Sequence, residues 1–288
     1  MNYNTRLLRQ TVTSFLERQS LDPSETVLFS YLATPLALQL AESLPWHKVV
    51  YDVVSDPKFV EPRLAPFERC FLQRADVTLF ASVTLFEQYQ AETRNPVLFR
   101  DSFSTKLLDV KAEMPPEILK LPRPRFLYLG GINRKFWTEA VEALAKSVPD
   151  ASIILMGPVD SNEARLANIH YFQPVKHYDD LAGYLQAADV GLIPYRLDPY
   201  AGGMHPAKLN EYLVFGLPVV ATATPELERL AQELPPGTFY LAGNAEAFPQ
   251  AALDALSQDT VDARAKRREL VYRHTWRQRT SQLQAIVG

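Results

Sequence analysis

The residues that follow Gly202 are suited to bind the diphosphate of a nucleotide. Gly202 and Gly203 precede Pro206, and proline at this place predicts the first position of a short helix that ends at Gly216. A helix that opens after a glycine loop presents free backbone N–H groups and the positive end of its dipole. The pattern therefore predicts a diphosphate at the tip of this helix.

A carboxylate inside the same helix extends this prediction to the binding of a ribose. Glu211 is expected to lie more than one turn beyond the helix tip, which Ala207 and Lys208 form. From there its carboxylate would accept hydrogen bonds from both hydroxyls of a ribose. Of the five histidines, His205 is the one beside the glycine loop, and the five lack the spacing of metal ligands. We therefore predict a nucleotide-sugar site that holds no metal.

A second candidate phosphate loop is Gly130-Gly131-Ile132-Asn133-Arg134-Lys135. It follows the first predicted strand of the second half, and ligands bind at the carboxyl ends of parallel strands. Arg134 and Lys135 would neutralise a departing diphosphate. An exposed basic turn is the alternative interpretation, but two phosphate signals in one half of the chain favour binding. The loop is not G-x-G-x-x-G, so no dinucleotide site is predicted.

Two acids near the end of a predicted strand are candidates for the acceptor side of a reaction. Asp52 and Asp56 lie at the carboxyl end of the strand Lys48–Val54. There they would bind an acceptor hydroxyl and join Arg134 and Lys135 as catalytic candidates. The alternative is that they start a loop or cap the next helix, and the residues alone leave both interpretations open.

Strands alternate with helices along the whole chain, which predicts βαβ units and parallel sheets. We expect an α/β fold of two doubly wound Rossmann-like lobes, with ligands in the cleft between them. The charged segment Lys106–Pro124 contains four prolines and is predicted to be a linker. The predicted strands are Thr26–Tyr31, Lys48–Val54, Val77–Ala81, Pro96–Phe99, Arg125–Leu129, Ala151–Met156, Ile169–Phe172, Val190–Pro194, Pro218–Ala221 and a strand near Phe239–Leu241.

Composition indicates a globular enzyme of a reducing compartment. The 288 residues are 47% hydrophobic and 22% charged, and the net charge of −3 gives no support to nucleic-acid binding. The single cysteine, Cys70, excludes an internal disulfide and is expected in the core. Because no secretory or membrane-spanning segment is recognisable, we expect a cytoplasmic protein. The cationic tail Asp262–Arg279 is predicted to be a solvated helix face, with peripheral contact to anionic lipid as the alternative.

Taken in order, these segments resemble the GT-B glycosyltransferases, in particular the retaining, nucleotide-sugar-dependent glycosyltransferase family four near its teichuronic-acid-type branch. VVYDVVSDP, Glu68 and RADVTLFAS resemble the second half of that family's acceptor lobe. FLYLGGINRK resembles its phosphate loop. The most specific match is PAKLNEYLVFGLPVVAT, which with IILMGP and AADVGLIPY resembles the donor lobe.

The resemblance implies a role for each matched residue. Glu211 would bind the ribose, Arg134 and Lys135 the diphosphate, and Val175 would lie near the base. The set that would cradle the donor comprises Gly130, Gly131, Gly202, Gly203, His205, Ala207 and Lys208. Gly203 stands where the family often has a glutamate. The donor would be UDP- or GDP-linked, the acceptor a polysaccharide or glycolipid, and no metal or further cofactor is implied.

The resemblance also implies a domain order. Residues 1–110 would form the acceptor-side lobe, residues 111–272 the donor lobe, and residues 273–288, starting at His274-Thr275-Trp276, a helix that crosses back to the first lobe. The family's first strands have no counterpart here. We therefore expect a truncated first lobe whose sheet edge at Thr26–Tyr31 is open, or covered by the helix Thr5–Gln19 or a partner chain. A non-catalytic nucleotide-sugar-binding or partner subunit, and a sugar epimerase of the same fold, remain alternatives to a transferase.

Overall fold

The computed structural model describes residues 3–110, 112–160, 164–272 and 275–288. The chain divides into two compact units. Unit 1 comprises Met1–Arg100, Gly203–His205 and Ser281–Gly288. Unit 2 comprises Asp101–Gly202 and Pro206–Thr280.

Unit 1 contains a sheet of four parallel strands in the order β1-β2-β3-β4. Thr34 and Ser82 begin two of its helices, because their hydroxyls accept the backbone N–H groups of Ala37 at 3.1 Å and Leu85 at 3.2 Å. The elements are α1 (Tyr3–Arg18), β1 (Val27–Ser30), α2 (Pro35–Ser43), β2 (Lys48–Val53), α3 (Pro57–Val60), α4 (Ala65–Arg74), β3 (Val77–Phe80), α5 (Val83–Tyr89) and β4 (Pro96–Leu98).

The edges of this sheet are β1 and β4. All four residues of β3 are buried, as expected for a central parallel strand covered on both faces. One of these faces packs against Leu283, Ile286 and Val287 near the chain end. The predicted truncation of the first lobe, and the predicted partner at its edge, stay predictions.

Unit 2 contains a sheet of six parallel strands in the order β10-β9-β8-β5-β6-β7. The chain builds outward from β5 to β7 and then returns to β8 on the other side of β5. This reversal makes the carboxyl ends of β5 and β8 a topological switch point, where doubly wound sheets bind ligands. The elements are α6 (Lys106–Asp109), α7 (Pro116–Leu119), β5 (Arg125–Leu129), α8 (Thr138–Ser147), β6 (Ser152–Met156), β7 (Ile169–Phe172), α9 (Tyr178–Ala187), β8 (Val190–Ile193), α10 (Pro199–Gly202), α11 (Lys208–Val214), β9 (Val219–Thr222), α12 (Pro225–Glu233), β10 (Phe239–Ala242), α13 (Phe248–Ser257) and α14 (Val261–Tyr272). The last helix, α15 (Trp276–Val287), begins in unit 2, and its residues from Ser281 onward belong to unit 1.

The two parallel sheets confirm the predicted α/β fold with two Rossmann-like lobes. The predicted linker, however, packs within unit 2. Ile118 is fully buried, and the guanidinium of Arg125 donates to the carbonyl of Leu121 at 2.8 Å. The backbone of Glu113 lies so close to α9 that a Cβ at Gly183 would be 2.4 Å from its oxygen. The prolines therefore shape a packed segment rather than an extended connector.

The cationic tail also differs from the predicted solvated face. Arg267 is 2% exposed, forms an ion pair with Asp259, and donates to the carbonyls of Gly216 at 2.8 Å and Gly237 at 2.7 Å. Arg273 lies outside the described residues. The predicted lipid contact stays a prediction. No helix in the described part of the chain is long and apolar enough to cross a membrane.

Cys70 is exposed, so the prediction that it fills the core is wrong. It lies on α4, whose buried residues are Glu68, Phe71 and Leu72. The helical repeat turns Cys70 away from that face. The carboxylate at position 68 occupies a core position that the sequence pattern assigns to an apolar residue.

Candidate active site

Two glycines bring the loops after β5 and β6 together. Gly130 has a φ of +127° and Gly157 a φ of +154°, both unfavourable for residues with a Cβ. A Cβ at Gly157 would lie 2.1 Å from the carbonyl oxygen of Gly130. The N–H of Gly130 donates to the carbonyl of Met156 at 2.9 Å. Glycine at both positions thus forms a bare backbone surface at the end of β5.

The basic part of the first loop is held against β8. The N–H of Arg196 donates to the carbonyl of Lys135 at 2.8 Å, and the N–H of Trp137 donates to Pro194 at 2.8 Å. Phe136 pairs with Tyr195 in an isolated antiparallel bridge. The switch point between β5 and β8 therefore fixes the backbone that carries Lys135.

Lys208 is buried among aromatic rings at the same place. Its ammonium nitrogen lies 4.4 Å from the ring centroid of Tyr128 and 5.0 Å from that of Tyr195. A Cβ at Gly130 would lie 3.1 Å from this nitrogen. The ammonium of Lys135 lies 5.5 Å from the same Tyr195 ring. Cation–π contacts stabilise both lysines next to the glycine loop.

The pKa shifts of these groups reflect burial and their mutual charges. Burial lowers the pKa of Lys208 well below its ordinary value, the charge of Lys135 lowers it further, and the charge of Glu211 opposes the fall. Burial also lowers the pKa of Lys135. Burial raises the pKa of Glu211, and the nearby Lys208 opposes this rise. An anion bound here would favour the charged form of both lysines.

Arg134 occupies a different environment from Lys135. Its side chain is exposed, and its guanidinium carbon lies 4.6 Å from the ring centroid of Tyr200 on α10. Of these two adjacent residues, Arg134 is therefore exposed and Lys135 is half-buried.

The helix that carries Lys208 starts later than predicted. The N–H groups of Leu209 and Asn210 bond to Pro206 and Ala207 in three-residue turns, at 2.9 Å and 3.2 Å. As a result α11 begins at Lys208, and Glu211 lies in its first turn, not beyond it. Proline at this position starts a tight turn ahead of the helix.

Tyr212 fixes α11 to the sheet. Its ring fills the space above Gly191, where a Cβ would be 2.5 Å away. Its hydroxyl donates to the carbonyl of Leu192 at 3.2 Å and accepts the N–H of Leu129 at 3.0 Å. One tyrosine thereby joins α11 to both β5 and β8, and sets the height of Lys208 and Glu211 above the sheet.

Residues 123–258 match the family model described as glycosyl transferases group 1. The match spans just under half of the chain and contains the glycine loop, Lys135, Lys208 and Glu211. A Bacillus subtilis protein, TuaH, named as a glycosyltransferase of teichuronic acid biosynthesis, is 29% identical over 110 residues. That match covers 36% of this chain and only 28% of the relative's own length.

Solved structures share the fold of this chain. A sucrose-phosphate synthase from Thermosynechococcus elongatus superposes with a TM-score of 0.72 and 17% identity, over 97% of this chain and 76% of that one. Anabaena HepE in complex with UDP superposes with a TM-score of 0.72 and 14% identity, over 97% and 81%. These likenesses confirm a GT-B fold.

Within the matched residues 123–258 the structure brings four predicted residues together: Gly130, Lys135, Lys208 and Glu211. Tyr128 and Tyr195 complete this cluster and were not predicted. The sequence signal that could have identified them is their position at the carboxyl ends of strands, since Tyr128 lies near the end of β5 and Tyr195 just after β8.

The remaining donor-side residues lie elsewhere in the matched residues or in unit 1. Gly131 follows Gly130 beside Asn133, Ala207 precedes α11, and Gly202 ends α10 near Pro225. Val175 is half-buried in the loop between β7 and α9. Gly203 and His205 belong to unit 1, where a Cβ at Gly203 would lie 3.6 Å from Leu85.

The two predicted acceptor-side acids also lie in unit 1. Asp56 is buried, and one carboxylate oxygen accepts the N–H of Lys58 at 2.9 Å, as an N-cap does. The same oxygen also accepts the hydroxyl of Tyr89 at 2.9 Å, and the other oxygen accepts the amide of Gln88 at 3.0 Å. These bonds favour the capping alternative for Asp56. Asp52 is half-buried in β2.

Proposed function

We propose that the protein transfers a sugar from a UDP- or GDP-linked donor to a saccharide or glycolipid acceptor, with retention at the sugar carbon. The observation that carries this proposal is the convergence of Lys135 and Lys208 on the ring of Tyr195 at the switch point, with Lys208 beside Gly130. A buried and a half-buried cation at one place suit a diphosphate. The UDP bound to HepE and the teichuronic acid role named for TuaH support the substrate classes.

Each group has a defined task in this proposal. Glu211 accepts hydrogen bonds from the two ribose hydroxyls, and Lys208 and Lys135 hold the diphosphate, with Arg134 nearer to solvent. The bond between the sugar carbon and the diphosphate oxygen breaks, and a bond to the acceptor oxygen forms on the same face. The acceptor's proton passes to the departing phosphate oxygen, so no protein nucleophile is required. The lysines stabilise the negative charge that develops on the leaving group.

Transfer is expected to continue in the presence of EDTA. Lys135, Lys208 and Arg134 supply the positive charge that a metal would otherwise place on the diphosphate. The measurement is release of nucleoside diphosphate from UDP-glucose and GDP-mannose, with and without EDTA, followed by Mg²⁺ or Mn²⁺. Activity that disappears with EDTA and returns with either metal would contradict this part of the proposal.

Replacing Glu211 by alanine tests the ribose assignment. Hydrogen bonds to a charged group contribute roughly 1.5–3 kcal/mol each, so UDP affinity should fall at least about tenfold. Isothermal titration calorimetry measures it, with Glu246→Ala as the control because that glutamate is exposed. Unchanged affinity in a folded Glu211→Ala protein would show that the ribose binds elsewhere. Donor binding without any sugar release would instead support the non-catalytic alternative.

A further inference from the structure

A buried carboxylate in unit 1 has an unmet hydrogen-bonding requirement. Glu68 on α4 is 4% exposed, and its Oε2 accepts the hydroxyl of Tyr51. Its Oε1 is buried and has no hydrogen-bond partner among the described residues. Buried side-chain oxygens are rarely left in this state in folded proteins. The oxygen is therefore suited to accept a donor from a bound molecule.

Glu68 lies on the walls of two cavities. The larger, of about 170 Å³, is also lined by Lys58, Arg69, Tyr89 and Glu92, with Ala65 and Leu72 as its apolar part. A smaller cavity of about 60 Å³ lies beside Tyr51 and Asp52. Since a water molecule's share of the liquid is about 30 Å³, the larger cavity accommodates a ligand of a few waters' volume.

The other charged groups around the larger cavity already have partners. Arg69 forms an ion pair with Glu92 at 3.2 Å. The ammonium of Lys58 lies 5.0 Å from the ring centroid of Tyr89. The neighbouring Asp56 has both oxygens hydrogen-bonded, as described above. Among these carboxylates, Glu68 is thus the one with a buried oxygen that has no hydrogen-bond partner in the described part of the chain.

The lining also indicates the class of ligand. Lys58 and Arg69 repel a cation, whereas Glu68 and Glu92 repel an anion. A neutral molecule with several hydroxyls suits such a mixed lining, since carboxylates accept from hydroxyls and cations donate to them. Burial raises the pKa of Glu68 to about 7, so above this pH the ionised carboxylate can accept hydrogen bonds on both oxygens.

We propose that this cavity is a binding subsite for one sugar ring, in which Glu68 Oε1 accepts a hydrogen bond from a ring hydroxyl. Lys58 or Arg69 donates to a second oxygen of the same ring. The choice of a sugar among hydroxylated molecules rests on the proposed function. The cavity belongs to unit 1, whereas the glycine loop and the lysines belong to unit 2.

The test is a titration of the full chain with three methyl glycosides, those of glucose, galactose and N-acetylglucosamine. We expect saturable binding of at least one by calorimetry and saturation-transfer NMR. Glu68→Gln keeps the side chain's size and an acceptor for Tyr51, but places an amide N–H₂ where the hydroxyl donor must bond. It should weaken binding at least tenfold, whereas Glu25→Gln, an exposed control, should not.

A second variant keeps the test decisive if Glu68→Gln fails to fold. Ala65→Leu fills the cavity without altering Glu68 and should abolish sugar binding. No saturable binding of any glycoside to the folded protein, or equal binding by wild type and both variants, would overturn the proposal. UDP titration separates it from the donor-site proposal: both Glu68→Gln and Ala65→Leu should keep wild-type UDP affinity. If UDP fails to bind while the glycoside binds, the donor assignment is wrong and the cavity assignment stands.

Discussion

Lys208→Met is expected to lower the rate of sugar release from the donor by about 100- to 1,000-fold, the usual effect of removing one preorganised group from a developing negative charge. Methionine retains the unbranched, apolar length of the side chain that packs against Tyr128 and Tyr195. It removes the ammonium that lies next to Gly130. The loss should therefore appear in turnover more than in the fold.

The measurement is the initial rate of nucleoside diphosphate release at saturating donor. Lys146→Met serves as the control, because Lys146 is exposed and pairs with Glu142 on α8 at 3.6 Å. A turnover close to that of wild type in folded Lys208→Met would remove this lysine from the mechanism.

Proton linkage gives an independent measure of the same lysine. The pKa of Lys208 is lowered in the free protein, and a bound diphosphate should raise it. Donor binding should then take up protons at pH values between the free and the bound pKa of this lysine. Calorimetry in buffers of different ionisation enthalpy measures this uptake, which should be smaller in Lys208→Met.

Arg267→Leu is expected to lower the free energy of unfolding by about 2–4 kcal/mol, somewhat less than the loss of the sole partner of a buried charge. It removes one of the two arginines that pair with Asp259, whose side chain is only 10% exposed, while Arg264 stays paired at 2.7 Å. It also removes the donors to the carbonyls of Gly216 and Gly237. Gly216 ends the segment after α11, so this tail arginine supports the helix that carries Lys208.

Urea denaturation followed by circular dichroism measures this change. Lys266→Leu is the matched control, since Lys266 pairs with Asp262 on the exposed side of α14 at 2.7 Å. An exposed pair contributes at most about 1 kcal/mol, so the control should unfold nearly as wild type. Similar midpoints for the two variants would show that the buried guanidinium contributes little.

Local signals were sufficient to predict most of the secondary structure from the sequence. Helix α2 runs over Pro35–Ser43 because Thr34 caps it and Pro35 suits its first turn. Strand β5 has its predicted bounds, Arg125–Leu129. Alternation of such elements predicted parallel sheets, and the glycines after β5 predicted the phosphate loop. These features depend on residues within a few positions of each other.

Tertiary structure decided which side chains surround the site. Lys208 meets Tyr128 only because β5 and β8 are neighbours in the sheet, and no local pattern encodes a contact over 80 positions. The burial of Arg267 likewise depends on Gly216 and Gly237, two distant glycines whose left-handed φ values, +70° and +79°, mark their turns. Within α4, only tertiary packing shows that Glu68 faces inward while Cys70 is exposed. Local propensity is set by adjacent residues, whereas burial, ion pairing and pKa are set by whichever distant groups the fold places alongside.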